Sequence, residues 1–335
     1  MSAGNINSMF SVRENAWHDP DGKFTVGEYP GSWHEARVLA GLDWDPIASP
    51  VFDQDFEERD GLLVPSGFRK IEGFYQIKRS DNNHRLAIKQ DSYTLITNTD
   101  MGEIIEAVLG QANVKWETAG VLNDGKQVWV LVKLDEPVVI PGDFTPSYPY
   151  LAITNHHDGS GACKLRATLV RIVCQNTFSL AEAEGARTGL EFSFSHTKNW
   201  RDRIAEAKRA VSGARDEMAK LVEIHGELLQ TKITPKIRDQ FVNEFVPMPP
   251  AGAVSDRVIK NVDEARALIR KVLGSPTTAP VADTAYGLVQ AAGEYLDHLR
   301  SYNNSGTYLS RTLLRNEAGK SKAVKLVRDL VKENA

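Results

Sequence analysis

YPYLAITNHHDGSGACKLRATLVRIVCQNTF, residues 148–178, is the stretch on which the fold of this chain turns. Two runs rich in apolar, β-branched and aromatic residues flank HHDGSGA, whose glycines and aspartate are turn chemistry. The pattern predicts a β-hairpin, and the two-residue strand period sorts its side chains. Tyr148, Tyr150, Ala152 and Thr154 share one face, with Leu151 and Ile153 opposite. On the second strand Lys164, Arg166 and Thr168 share a face, and Cys163, Leu165, Ala167 and Leu169 take the other. One face of the hairpin is therefore apolar and belongs on a core, while the other mixes tyrosines with cations. Arg171 has the opposite parity to Arg166, which requires a bulge or a place beyond the strand end. VRIVCQNTF closes the stretch as a strand-to-helix junction.

The tyrosine and cation face suits a single-stranded nucleic acid, with cations to hold phosphates and rings on which bases stack. The plain alternative is a solvent-facing sheet whose long cations lie along it. The loop offers His156, His157 and Asp158 as metal ligands or a glycine-rich backbone as a phosphate cradle. Adjacent histidines on an extended backbone point apart, so a simple hairpin turn competes with both. The spacings of a P-loop and of a dinucleotide-binding glycine motif are absent from the sequence.

Outward from the hairpin, residues 68–79 and 84–90 read as strands around Ser80–Asp81–Asn82–Asn83. Thr99 or Asp100 is placed to N-cap a helix reaching about residue 109. Residues 114–122 and 127–134 flank Asn123–Asp124–Gly125–Lys126, and an Asp-Gly between alternating apolar runs is a strong hairpin signal. A helix over 173–184 and a strand over 189–196 follow. From Asn199 onward the chain reads as helices. Ile204, Ala207, Val211, Ala214, Met218, Leu221, His225 and Leu228 form a heptad seam that favours a helical hairpin or a packed partner helix.

Residues 1–66 read as an irregular acidic segment with one short helix near 33–39. Pro20, Pro30, Pro46 and Pro50 punctuate it, and Asp43, Asp45, Asp53, Asp55, Glu57, Glu58 and Asp60 give it a solvated or nucleic-acid-mimicking face. The expected architecture is α+β: an antiparallel sheet of hairpins with packed helices in residues 67–198, then an all-helical part in 199–335 with a basic tail.

Among 335 residues, an apolar share of 41% and a charged share of 25% describe a chain able to bury a sizeable core. Its net charge of −4 excludes a global field that recruits nucleic acid, so any such binding needs a local patch. From Arg300 to Lys332 eight cations stand against Glu317 and Asp329, a net of +6 that includes Arg311, Arg315, Lys320, Lys322 and Lys325. Tyr302 and Tyr308 are interleaved, as in a phosphate-binding segment, and an amphipathic helix with its cations solvated is the alternative. Glu294, Asp297 and His298 share a helical face and could converge on a divalent ion. Two cysteines in apolar surroundings imply a reducing compartment and inert thiols. With no leader-like or membrane-spanning stretch, the expected location is the cytoplasm.

RENAWH (13–18), VWVLVKLDEPV (128–138), YLAITNHHDGSGA (150–162), VRIVCQNT (170–177) and TAYGLVQAAGEYLDH (284–298) together resemble the phage/plasmid-like protein family, whose shared region is a domain of unknown function. Asp19–Pro20 departs from that family's glycine-rich continuation. The resemblance implies a protein carried by phages, prophages or plasmids, and it supplies no catalytic residue or cofactor. More loosely, a sheet-and-helix core before a basic segment resembles the Rad52-like single-strand annealing proteins. The expected function is single-stranded DNA binding by a homo-oligomer, in strand annealing or recombination, without catalysis, cofactor or membrane. Its site would comprise Tyr148, Tyr150, Lys164, Arg166, Arg171 and the tail cations. The alternatives are a metal-dependent hydrolase using the His-His-Asp loop, and a phage or host interaction protein assembled through the heptad seam.

Overall fold

The computed structural model describes residues 6–12, 23–110, 114–134, 137–143, 145–171, 177–178, 191–250, 255–300 and 317–334. In chain order these form β1 (Ile6–Ser11), α1 (Trp33–Leu39), β2 (Pro46–Arg59), β3 (Leu62–Arg79), β4 (Arg85–Gln90), α2 (Asn98–Leu109), β5 (Lys115–Leu122), β6 (Gln127–Lys133) and β7 (Ser147–His156). Then come β8 (Cys163–Arg171), β9 (Thr177–Phe178), β10 (Glu191–Phe194), α3 (Ile204–Gln230), α4 (Pro235–Phe245), α5 (Asp256–Leu273), α6 (Ala285–Glu294) and α7 (Glu317–Glu333). The fold is α+β, with antiparallel hairpins first and helices gathered in the C-terminal part.

The main sheet is seven-stranded, in the order β1-β5-β6-β7-β8-β10, with β9 also on β8. Its central ladder follows from local chemistry. Asn123, Asp124 and Gly125 take φ of 52°, 59° and 99° between β5 and β6, the left-handed region that these residue types tolerate best. Val128, Val130 and Val132 of β6 then pack with Leu151, Ile153 and Leu165 on one buried face. On the opposite face the Trp129 ring presses against Gly120, where a Cβ would sit 2.0 Å from the indole. Only glycine fits there.

Two cores result. The first, on the valine face, gathers Trp33, Trp44, Ile104, Ile105, Trp116, Phe194, Trp200 and Ala207. The second is helical and gathers Leu221, Leu228, Phe241, Ile269, Tyr286, Leu288, Val324 and Val327. α3 threads both: Ala207 of its heptad seam lies in the first core with Ile204 and Val211 packed against it, and Leu221 and Leu228 lie in the second. The seam's Ala214 and Met218 side chains lie outside the described residues.

Three expectations need correction. The segment 1–66 is not irregular throughout: β1 lies within it, and β2 forms a long hairpin with β3. β3 extends the strand expected over 68–79 back to Leu62, so the expected boundary at 66/67 falls inside it. Pro46, Pro50 and Pro65 are tolerated because most of the ribbon has open edges, where a missing N–H need not break a ladder. β4 pairs only with Phe74–Lys78, so the distal part is two-stranded. It extends roughly 30 Å at the ordinary strand rise. The tip is Asp60–Gly61, with φ of 53° and 77°. Of the helix expected over 173–184, only Thr177 and Phe178 are described, and they extend antiparallel to Leu169–Val170. Near residue 98 the N-cap is Thr97, two positions earlier than expected, in a capping box with Asp100.

Candidate functional site

The β7–β8 hairpin forms in the expected register: Tyr150 faces Thr168, Ala152 faces Arg166 and Thr154 faces Lys164. The face that these residues share is nevertheless not an open groove. Tyr150 is 1% exposed and Arg166 is 7% exposed, and Tyr150 packs with Leu131 and Ala152 in a small buried cluster. Strand parity says which side chains share a face but not whether that face is covered. Here both are. This overturns Tyr150 and Arg166 as surface contacts. Tyr148 is half-buried beneath Lys133, whose Nζ stands 3.9 Å above the ring, and Lys164 is half-buried at the other end of the hairpin, opposite Thr154. Arg171 ends β8 in unbroken register with Ser147, so no bulge is needed; its side chain lies outside the described residues.

The His-His-Asp loop is a latch. Asn98 Nδ2 donates to the Trp44 carbonyl, which leaves Asn98 Oδ1 as an acceptor for His157 Nε2–H at 2.8 Å. Asn155 Nδ2 donates to the Ile96 carbonyl and lies 3.5 Å from His157 Nδ1. The ring, edge-on to Trp44 and fully buried, is held as the neutral Nε2–H tautomer. Burial first, then the neighbouring His196, pulls its pKa down to about 3. His156 Nδ1 lies 2.9 Å from Ser160 Oγ, and Asp158 Oδ1 accepts from the Ser160 N–H. Burial, then the nearby Asp100 carboxylate, pushes the Cys163 thiol up, as expected of an inert core cysteine.

The expected metal constellation is not assembled. Asp297 is fully buried against Lys320 at 2.8 Å, and Glu294 accepts from Thr277 Oγ1. His298 sits on a wide helical turn, Tyr295–Leu299, beside the second core, whereas His157 abuts the first. Among the described residues no cluster of three or more His, Cys, Asp or Glu is placed to hold a metal.

The tail is corrected in the same way. Lys320 is the buried partner of Asp297 and is not a phosphate ligand. Lys322 donates to the Phe245 carbonyl, and Lys325 is exposed. Arg311 and Arg315 lie outside the described residues. The apolar stripe of Ala323, Val324, Val327 and Leu330 packs into the second core, so α7 is first of all a structural helix.

A surface that sequence reading passed over combines the required chemistry. Tyr93 and His196 stack at 4.5 Å with an interplanar angle of 13°. Thr94 and His196 are tied by a backbone bond and by His196 Nδ1–H to the Thr94 carbonyl. Lys89 Nζ is 5.5 Å from the Tyr93 centroid. Directly after His196 the chain carries Lys198, Arg201, Arg203, Lys208 and Arg209, all exposed or half-exposed, against Asp202 and Glu206. Arg201 lies over Trp200 at 4.3 Å and pairs with Asp100, and Arg203 lies over Phe192 at 4.6 Å. The interleaved F-S-F-S-H-T-K-N-W-R-D-R of residues 192–203 was the signal available in the sequence.

Set against known families, the chain belongs to the one described as a domain of unknown function (DUF932), matched over residues 85–330. The match begins at Arg85, the first residue of β4, so β2 and β3 lie before it. No curated protein matches the chain. No solved structure matches it either.

Proposed function

We propose that this member of the DUF932 family binds single-stranded DNA without catalysis, on the surface where Lys89–Tyr93 meets the segment 192–209. The observation that carries the reading is the Tyr93/His196 stack continued along the chain by five solvent-facing cations. Rings accept bases and cations accept phosphates, a combination tolerant of sequence. The groups that first suggest hydrolysis argue the other way: His157 is neutral and latched, and Asp297 is neutralised by Lys320. Annealing would require only that strands lie along a charged surface with bases accessible. A setting in phage or plasmid replication or recombination, in the host cytoplasm, belongs to the same proposal. Among the described residues no helix is long and apolar enough to cross a membrane.

The test is fluorescence anisotropy with a labelled oligothymidylate over a salt series. The triple variant Lys198→Ala, Lys208→Ala, Arg209→Ala should weaken binding by about tenfold or more. It should also flatten the log–log salt slope by about 2, since each phosphate contact on a single strand contributes about 0.7. A chain that binds nothing at low salt, or a triple variant with unchanged affinity and slope, sinks the proposal.

A further inference from the structure

The ribbon of β2 and β3 is a second feature that the DNA reading does not use. Beyond its β4-covered base, the pairs Phe52↔Lys70, Gln54↔Phe68, Phe56↔Pro65 and Glu58↔Leu63 define one face. That face presents Phe52, Phe56, Leu63 and Phe68 at 54%, 55%, 74% and 74% exposure. The opposite face carries Asp53, Asp55 and Glu57 with Arg59 and Arg69, and Arg69 pairs with Asp55 at 3.4 Å. An isolated two-stranded ribbon is marginal in water, and one displaying three phenyl rings on a single face lacks a covering surface.

We infer that this arm is a self-association surface, packing face to face and antiparallel on the same arm of a second copy of the chain. Four observations select that occupant. The apolar strip is self-matching, as an isologous two-fold contact requires. Its charged members sit at opposite ends, Glu58 near the tip and Lys70 toward the base, where Lys70 also pairs with Glu72 of its own strand at 2.9 Å. The two-fold therefore sets Glu58 against Lys70 of the partner subunit at both ends of the contact. Three half-exposed to largely exposed phenyl rings and Leu63 withdraw roughly 400–500 Å² per arm, or about 800–1,000 Å² in total, near the lower limit of a specific interface. From Val51 to Gly73 six acids oppose three bases, a charge that repels phosphate backbones and anionic lipid headgroups. The inference is independent of the DNA-binding surface.

Sedimentation velocity on the full chain over a wide range of loading concentrations tests it. The wild type should show a reversible, concentration-dependent dimer or a multiple of it. Phe56→Glu should remain monomeric at concentrations where the wild type associates, with unchanged far-ultraviolet circular dichroism. Glu58→Lys and Lys70→Glu should each weaken association, and the double charge reversal should restore it. A wild type that stays monomeric throughout, or a Phe56→Glu chain that still associates, overturns the inference. So does a double reversal that fails to rescue, which would remove the antiparallel pairing. Flotation with zwitterionic or anionic vesicles that depends on Phe56 would reassign the face to lipid and also overturn it.

Discussion

The chain contains two hairpins whose surroundings are the reverse of what their compositions suggest. β7 and β8 carry tyrosines, lysine and arginine on one side, and that side is covered: Tyr150 and Arg166 are buried. β2 and β3 carry three phenylalanines on one side, and that side faces water. The first hairpin is central in a seven-stranded sheet, flanked by a strand on either side, so its polar groups are enclosed with it. The second is joined by one short strand at its base, so its apolar groups project beyond the other described strands. Position within a sheet, a long-range property, outweighs side-chain type.

The contrast is broken or sharpened first at Tyr150. Tyr150→Ala removes a buried ring that packs with Leu131 and Ala152. It should destabilise the fold by about 3 kcal/mol, the usual loss for a truncated core aromatic. Denaturant midpoints followed by circular dichroism and by tryptophan fluorescence measure it. A loss under about 0.5 kcal/mol, the surface level, would mean that the face is open and the nucleic-acid groove stands where the sequence suggested.

The second effect lies at the turn of that same hairpin. His157 is neutral in the fold, with a pKa near 3 against about 6.5 when unfolded. As pH falls below 6.5 the unfolded chain takes up a proton that the folded one refuses. The stabilisation is therefore complete above pH 6.5 and drains away toward pH 3. Between pH 7 and pH 5 the loss should be on the order of 2 kcal/mol. His157→Gln keeps a donor for Asn98 Oδ1 and removes the titration. Wild type minus variant should follow that slope, and parallel curves would show that the ring is accessible to protons and the latch loose.

Much of this was legible in the sequence. The valine alternation of β6, the Asn-Asp-Gly turn, the parity of β7 and β8 and the described members of the heptad seam of α3 all appear as the side-chain periods dictate. These depend on residues close in sequence. The arm was not legible because Pro46, Pro50 and Pro65 signal a break unless the strand is known to have an open edge. The proposed site was hidden for a related reason: Thr94 and His196 are 102 positions apart, and only the fold brings Tyr93 onto the His196 ring. Likewise Lys320 reads as a surface cation from its neighbours in sequence, and only the fold sets it buried against Asp297.

The smallest expected effect is the most discriminating for the arm. Phe68 is the mirror of Tyr150: an aromatic ring on a hairpin face, but exposed to water in the single chain. Phe68→Ser should therefore leave the stability of the monomer within about 0.5 kcal/mol, as surface substitutions do. The comparison must be made at concentrations low enough that association adds nothing, since a bound partner stabilises whatever it binds. Measured there against Tyr150→Ala, the two hairpins should differ severalfold in sensitivity. A Phe68→Ser loss near that of Tyr150→Ala would mean that the arm folds back over its own chain in solution. Equal sensitivity would also remove the apolar face on which self-association depends, whereas a silent Phe68→Ser that shifts only the dimerisation midpoint ties that face to the second copy.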